Sequence, residues 1–162
     1  MDKKYLKVLP EYQKLQVIVN ETVVKDYLVS TALNGLGEKN NSGKTPRGWH
    51  QIRAKIGADQ PINTIFVGRR STGEIYSASL SKQYPNRDWV LTRILWLSGL
   101  EPGKNRLGAV DTMRRFIYIH GYPEDIPMGI PLSKGCIRMH NRDILELFDI
   151  VEPGTKIYIE NW

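Results

Sequence analysis

The sequence predicts a mainly β fold in which two mixed sheets pack together, with one helix beside them near the C-terminal end. Leu15, Val17 and Val19 lie at alternate positions, which is the pattern of a strand with one buried face. The run 23–31 is rich in β-branched and aromatic residues, which favour strands. Helical spacing of apolar residues is readable over residues 141–151, so sheet is expected to dominate the fold.

The first elements follow in a simple order. Residues 15–31 are expected to form a hairpin that turns at Asn20-Glu21, because asparagine tolerates the positive φ of a tight turn. Residues 35–48, with four glycines and two adjacent asparagines, predict a long loop, and residues 49–56 return to strand. The pattern does not define the order of elements over residues 57–90, and we expect this region to shape a binding cleft.

The helix has recognisable ends. Apolar residues recur at i, i+3, i+4 and i+7 from Ile144, which predicts an apolar stripe that packs on the sheet. Asn141 is the expected N-cap, Asp143 lies in the first turn, and Pro153-Gly154 ends the helix. Residues 155–159 then close the sheet as a last strand.

Length and charge fit one globular domain. The 162 residues suffice for a real core, and without low-complexity tracts or a clear repeat we expect a single domain over residues 1–162. The formal charge of +6 favours polyanionic partners. Nucleic acid meets that condition, but the sequence holds no recognition motif for it, so no nucleic-acid partner is expected. The single cysteine excludes an intrachain disulfide.

Neither an export signal nor a membrane span is expected. Residues 1–10 carry three lysines but are not followed by the apolar run of about 7 to 15 residues that a signal peptide needs. No segment has the length of apolar sequence that crosses a bilayer.

The only cysteine lies in a context typical of an activated thiol. Cys136 follows Ser133-Lys134-Gly135, precedes Arg138 by two positions and comes 16 positions after His120. A free cysteine, with a pKa of about 8.5, is only slightly ionised at neutral pH, so a nucleophilic thiol needs a base or a positive charge beside it. His120 can supply either, from the end of an apolar strand that stops at Gly121.

The neighbouring residues complete a candidate catalytic cleft. Gly135 has no Cβ, so backbone amides around Cys136 can approach a bound carbonyl as an oxyanion hole. Arg138 carries a planar guanidinium group suited to a carboxylate, and it shares a face with Cys136 if the two lie in one strand. Tyr118 can line the cleft, although such aromatics are more often core residues. No cluster of histidine, cysteine and carboxylate residues has zinc spacing, so neither a metal nor a cofactor is expected.

Each of these residues also has a simpler explanation. A lone cysteine is often a small buried apolar residue, and a histidine at a strand end is often a satisfied core residue. Arg138 can pair with a surface carboxylate, and the Ser133 hydroxyl can bond within its own turn. The combination of the residues, and no single one of them, indicates an enzyme.

Together these residues resemble the YkuD-type L,D-transpeptidases of the bacterial cell wall, whose pattern is His-Gly followed after an interval by Ser/Thr-x-Gly-Cys-x-Arg. The resemblance covers nearly the whole chain. Its other pieces are Gln13-Lys14-Leu15-Gln16-Val17, Tyr27-Leu28-Val29-Ser30-Thr31, Lys44-Thr45-Pro46-Arg47-Gly48, Thr92-Arg93-Ile94-Leu95-Trp96-Leu97, Gly129-Ile130-Pro131-Leu132-Ser133 and Gly154-Thr155-Lys156-Ile157-Tyr158-Ile159. The resemblance implies the β-sandwich catalytic domain of that family.

The resemblance also implies a reaction and its residues. Cys136 would attack the diaminopimelate carbonyl of a peptidoglycan stem peptide, expel D-alanine and form a thioester that an amine then takes over. His120 would accept and return the proton, held by the backbone carbonyl of Gly121. The substrate-binding residues would be Ser133, Gly135, Arg138 and Tyr118. Carbapenem-type β-lactams are implied as covalent inhibitors.

One departure and three hypotheses remain. Lys134 stands where the family often has histidine. A lysine near the thiol favours thiolate, but it leaves any side-chain role of that family histidine without support. The chain can be an L,D-transpeptidase, a hydrolase of the same architecture acting as an L,D-carboxypeptidase or amidase, or a non-catalytic wall-binding module. Water exclusion by the loops decides between the first two, and the sequence does not separate them. We expect the protein to act in the cell envelope, where peptidoglycan crosslinks are made, and the cytoplasm is the alternative location.

Overall fold

Strands account for most of the regular structure in the computed structural model, which describes residues 3–161. The strands in that range are β1 Lys4–Leu9, β2 Lys14–Val19, β3 Thr22–Ser30, β4 Gly48–Ile56, β5 Thr64–Val67, β6 Arg70–Ile75, β7 Leu91–Gly99, β8 Tyr118–Tyr122, β9 Ile137–His140 and β10 Lys156–Ile159. The helices there are α1 Ala78–Gln83, α2 Asn141–Ile150 and a 3₁₀ turn at Gly108–Val110. The prediction of a mainly β fold with a helix near the C-terminal end is confirmed.

The strands pair around one continuous sheet. The order is β10, β1, β2, β3, β9, β8, β7 and β4, and β4 pairs in turn with β10, so the sheet closes on itself. The pairing is mixed, because β1 is parallel to β10 and β8 is parallel to β9, whereas the other neighbours in the ring are antiparallel. We expected two packed sheets. Because β4 uses both of its edges, the strands instead form one barrel-like sheet.

A short hairpin is attached at one end of β7. β5 pairs with β6, and Ile65 of β5 also pairs with Leu91 of β7. This hairpin and α1 occupy residues 57–90, where the sequence did not define the elements. The Ser77 hydroxyl caps α1 by accepting the N–H of Leu80 at 3.2 Å. Six helical residues are too few to show a helical period, which is why a second helix was not expected.

The main apolar core draws side chains from the strands of the ring and from α2. From the helix, Ile144, Leu147 and Phe148 are buried in this core, as their spacing predicts. The N-cap position is His140, and Asn141, the expected cap, is the first helical residue. Asn141 uses its side chain for contacts with the sheet instead.

The predicted hairpin is present as β2 and β3, and its turn residues Asn20 and Glu21 both have positive φ. The predicted strand over 49–56 is present as β4. β1 was not expected, although Leu6 and Val8 alternate there as a strand with one buried face requires. None of the helices within residues 3–161 is long and apolar enough to cross a membrane.

Candidate active site

The predicted histidine is in β8, and the predicted cysteine directly precedes β9, the parallel strand next to it. Ile119 of β8 is paired with Ile137 of β9, and His120 is paired with Arg138. Both isoleucines are fully buried in the core, so the alternate side chains, those of His120 and Arg138, point to the opposite face. Cys136 directly precedes β9 and is two positions from Arg138, which brings its thiol to that face as well.

The Cys136 thiol is half-buried and is bound to the start of β8. Its Sγ accepts the N–H of Tyr118 at 3.3 Å and donates to the carbonyl oxygen of Phe116 at 3.4 Å. Burial raises the pKa of the thiol to about 11, and the Tyr118 N–H and the Arg138 and Arg115 guanidinium groups only partly oppose this rise. The thiol in this arrangement is therefore protonated at neutral pH.

His120 is buried, and the backbone holds its ring. Nδ1 is 2.7 Å from the carbonyl oxygen of Gly121. A carbonyl oxygen can only accept, so this bond assigns the proton to Nδ1 and leaves Nε2 as the acceptor nitrogen. Burial lowers the pKa of His120 to about 4, against the opposing effects of the Gly121 carbonyl and Asp88. The imidazole is thus neutral at pH 7 and able to take a proton.

Gly121 and Asn141 fix the strand end that carries His120. A Cβ at Gly121 would collide with the Asn141 side chain, so glycine is required there. The fully buried Asn141 amide donates to the carbonyl of Tyr122 at 3.0 Å and accepts from the Thr92 hydroxyl at 2.6 Å. We expected Asn141 to be a helix cap because asparagine before a helical run usually has that role. Its contacts with β7 and β8 have no local sequence signal.

Arg138 already has a carboxylate partner within the chain. Its Nη2 donates to Asp88 Oδ1 at 3.1 Å, and its guanidinium carbon is 3.8 Å from the centre of the Tyr122 ring. This geometry matches the simpler of our two expectations, pairing with a carboxylate of the same chain. A contact between Arg138 and a substrate carboxylate stays a prediction. Asp88 belongs to no motif, and no local pattern indicates that it reaches the site.

The loop before Cys136 is held from two sides. The buried Ser133 hydroxyl donates to the Cys136 carbonyl at 2.5 Å and accepts the Gly135 N–H at 3.2 Å, which is the local turn bonding considered above. Gly135 has a φ of +135°, and its carbonyl accepts from the Thr45 hydroxyl at 2.9 Å. A Cβ at Gly135 would be 3.2 Å from Ile117 Cδ1, so space is also tight. These contacts set the direction of the Cys136 backbone.

Tyr118 connects the site with the β5–β6 hairpin. Its hydroxyl accepts from Nη1 of Arg69 at 3.1 Å. The Arg69 guanidinium also lies over the rings of Trp96 and Phe116, at 4.4 Å and 4.9 Å from their centres. Burial raises the pKa of Tyr118. Arg69 is in the turn between β5 and β6, so the region 57–90 reaches the face that carries the thiol.

A cavity of about 380 Å³ opens beside the loop that ends at Cys136. Its lining residues are Asn40, Asn41, Gly43, Arg114, Arg115, Phe116, Ile117 and Lys134. Within residues 3–161, no three histidine, cysteine, aspartate or glutamate side chains are grouped as metal ligands. A protonated thiol and an imidazole with a free acceptor nitrogen suit acyl transfer through sulfur. The cavity adjoins the loop before the thiol, and neither Cys136 nor His120 is among its lining residues.

Comparison with known protein families gives a match over nearly all of the chain. The model of the L,D-transpeptidase catalytic domain named YkuD matches residues 3–159. A Bacillus licheniformis protein with the provisional name L,D-transpeptidase YkuD is 54% identical over 41 residues, which are 25% of each chain. A Salmonella typhimurium protein provisionally named L,D-transpeptidase ErfK/SrfK is 26% identical over 161 residues, 94% of this chain and 46% of that protein. The chain thus spans about half the length of the Salmonella relative.

The fold also resembles solved structures. L,D-transpeptidase 3 of Mycobacterium tuberculosis, in complex with a faropenem-derived adduct, superposes with a TM-score of 0.59 at 13% identity, over 99% of this chain and 61% of that chain. At so low a sequence identity, the structural similarity supports only the assignment of the fold. It agrees with the L,D-transpeptidase-like fold that the sequence resemblance implies, although the sheet is closed and not divided into two packed sheets.

Proposed function

Because the chain belongs to the YkuD family of L,D-transpeptidase catalytic domains, we propose that it is a cysteine-dependent L,D-transpeptidase acting on peptidoglycan stem peptides. One observation carries the proposal: the Cys136 thiol contacts the N–H of Tyr118 at the start of β8, and a neutral His120, bound to the Gly121 carbonyl, follows two positions later in that strand. A nucleophile and a base in this relation fit acyl transfer. The proposed place of action is the cell envelope, where peptidoglycan is crosslinked.

In the first half of the proposed reaction, Cys136 Sγ attacks the carbonyl carbon of the donor residue while Nε2 of His120 takes the thiol proton. The pKa of about 11 for the thiol and of about 4 for the imidazole make a resting thiolate–imidazolium pair rare. Proton transfer therefore accompanies formation of the S–C bond. The C–N bond to the terminal D-alanine then breaks, and His120 returns the proton to the departing amine. The product is a thioester on Cys136.

In the second half, the amine of an acceptor stem peptide attacks the thioester carbonyl. The C–S bond breaks, a new amide forms, and the amine proton passes through His120 back to the sulfur. The Gly121 carbonyl keeps the Nδ1 proton in place throughout, so that Nε2 alone exchanges protons. The two half-reactions together need no oxidant or reductant.

We assign supporting roles to the remaining predicted residues. Ser133 and Gly135 orient the loop so that the Cys136 N–H points at the developing oxyanion. Tyr118 and Arg138 line the substrate groove on the face they share with the thiol. These roles follow from position, since the side chains of Ser133 and Arg138 are already bonded within the chain.

Hydrolysis is the second candidate, because the Cys136 side chain is only half-buried. Water that reaches the thioester would release the donor as a free acid, and the protein would then be an L,D-carboxypeptidase or, on a wall-linked protein, an amidase. A non-catalytic wall-binding module would have no need of the Cys136 and His120 pair.

The test is mass spectrometry of the products formed from purified disaccharide tetrapeptide. Crosslinked dimers are expected from a transpeptidase, and tripeptides without dimers would mean a carboxypeptidase. Unreacted tetrapeptide would reject both enzyme assignments. A carbapenem is expected to add its mass to the protein, since Cys136 would open the β-lactam ring as it attacks its peptide substrate.

A further inference from the structure

The cavity beside the loop that ends at Cys136 is lined by three cations, Arg114, Arg115 and Lys134, and by no acidic residue. We call these three residues the basic flank. Within residues 3–161, none of them forms an ion pair with a carboxylate. Glu38, whose charge acts on Arg115, is bound to Arg47 at 2.9 Å. Against the opposing effect of burial, the Arg114 charge in turn lowers the pKa of Asp111, which accepts the backbone N–H groups of Arg114 and Leu107. Nearby carboxylates therefore compensate the positive charge of the cavity in part, but none is bound directly to one of its three cationic side chains.

Arg115 is held in the cavity wall by neutral acceptors. Its Nη1 donates to the carbonyl of Gly37 at 3.2 Å, and its Nη2 donates to the carbonyl of Lys44 at 2.5 Å. Nη2 is 3.8 Å from the place that a Cβ of Gly135 would take, and the charge of Arg115 lowers the pKa of the Cys136 thiol. The guanidinium group is thus fixed next to the loop where the reacting carbonyl would sit.

The cationic residue Arg115 and the imidazole lie on opposite sides of Tyr118 along the chain. Arg115 precedes Tyr118, whose N–H contacts the sulfur, and His120 follows it. The general acid must reach the departing nitrogen, so the leaving group lies toward His120. The acyl part of the donor, which stays on the sulfur, then extends toward the basic flank.

We propose that the basic flank binds a carboxylate of the acyl donor, carried by the residue that remains attached to Cys136, and that it selects donors with the free acid over the carboxamide. The proposal rests on the proposed function and adds a substrate preference to it. Arg115, whose Nη1 and Nη2 already donate to neutral acceptors, contributes a fixed positive charge, and the exposed Arg114 and Lys134 can donate directly with little desolvation. A carboxamide would leave these cations without a counter-charge.

The preference is tested with two donors, the disaccharide tetrapeptide with a free diaminopimelate side-chain carboxyl and the same tetrapeptide with that carboxyl amidated. We expect kcat/KM to favour the acid by about tenfold, which is the usual effect of one charge-assisted hydrogen bond. The double variant Arg114→Gln/Lys134→Gln should reduce the preference to about twofold. The control Arg142→Gln/Lys156→Gln, which removes two exposed cations elsewhere, should keep it. Equal rates of the wild type on both donors would overturn the proposal.

A second measurement does not depend on peptidoglycan turnover. Cys136 is alkylated with anionic iodoacetate and with neutral iodoacetamide, and the ratio of the two rate constants is compared between variants. We expect this ratio to fall about fivefold in Arg114→Gln/Lys134→Gln and to stay constant in the control, because the basic flank concentrates anions at the thiol. If the wild type uses neither tetrapeptide, the proposed function fails, and an unchanged ratio would separately overturn the carboxylate site.

Discussion

The two sides of the Cys136 thiol differ in how their charges are satisfied. On one side, which we call the imidazole flank, His120 lies beside the ion pair of Arg138 and Asp88, and only 7% of the Arg138 side chain is exposed. On the other side, none of the three cations of the basic flank forms an ion pair with a carboxylate among the described residues. A buried and paired charge holds its neighbours in place, whereas unpaired cations at a cavity attract a ligand. Under the proposed function, this difference separates the residues that would position the catalytic groups from those that would recognise the substrate.

The largest effect is expected from Cys136→Ala, which removes the group that both flanks serve. Turnover of tetrapeptide and the carbapenem adduct should be lost, because no other thiol is present in the chain. Tighter binding of the acid donor than of the amidated donor should persist in calorimetric titration, since the basic flank is untouched. An adduct on the alanine variant would remove Cys136 as the nucleophile.

His120→Gln affects the imidazole flank alone. Loss of the proton shuttle should lower kcat by roughly 10²- to 10⁴-fold, whereas the iodoacetate to iodoacetamide ratio should stay within about twofold of wild type. His140→Gln is the matched control, because His140 lies two positions beyond Arg138 in β9 and is the other histidine near this face. A large loss of kcat in the His140 variant, with none in the His120 variant, would reassign the base.

The stability of the protein should fall as the pH drops from 7 to 5. Burial lowers the pKa of His120 and of His50 from 6.5 to about 4, so the folded state binds fewer protons than the unfolded state in this window. The stability that these neutral histidines contribute is fully present above pH 6.5 and is lost as the pH falls toward 4. We expect a loss of about 2 kcal/mol per histidine at pH 5, measured by urea denaturation.

The same pH change distinguishes the two flanks. Arginine and lysine stay charged between pH 5 and pH 7, so the iodoacetate to iodoacetamide ratio should not change over this range. His50→Gln should remove about half of the pH dependence of stability, because His50 lies outside the site and is bound to Gly48 and Thr112. Full pH dependence in that variant would assign the acid sensitivity to other groups.

The smallest effect is expected from Asp88→Asn, which removes the counter-charge of Arg138. We expect a loss of about 1 kcal/mol in the free energy of unfolding, a modest value because 41% of the Asp88 side chain is exposed. Asp26→Asn is a control with a similarly exposed carboxylate, 43% exposed, whose partner Lys14 is also 43% exposed. The control should lose less than about 0.5 kcal/mol. Equal losses would mean that the burial of Arg138 adds nothing to its pair.

The sequence allowed prediction of the parts of the site that depend on local pattern. His120 and Cys136 stood out because strand alternation and a short motif place each on a defined face. Asp88 and Arg69 could not be found in this way, since they reach the site across 50 and 49 positions of chain. Asn141 was assigned to a helix cap, because its local context suits that role and its contacts with the sheet are equally remote.

The same distinction holds for the fold. The hairpin of β2 and β3, the strand β4 and the apolar stripe of α2 each follow from residues close together in the chain. The sheet closes because β4 pairs with both β7 and β10. The alternation of apolar residues along a strand does not indicate which neighbouring strand each of its edges will pair with. The structure therefore has one continuous sheet where we expected two packed sheets.

The place of β10 has a consequence for how the chain folds. This strand, Lys156–Ile159, inserts between β1 and β4, although it is synthesised after both and after every other described strand. While the ribosome is still making the chain, β1 and β4 each have an edge with unpaired amide and carbonyl groups. We therefore expect the nascent protein to be vulnerable to aggregation until its last strand emerges, and to mature late and cooperatively.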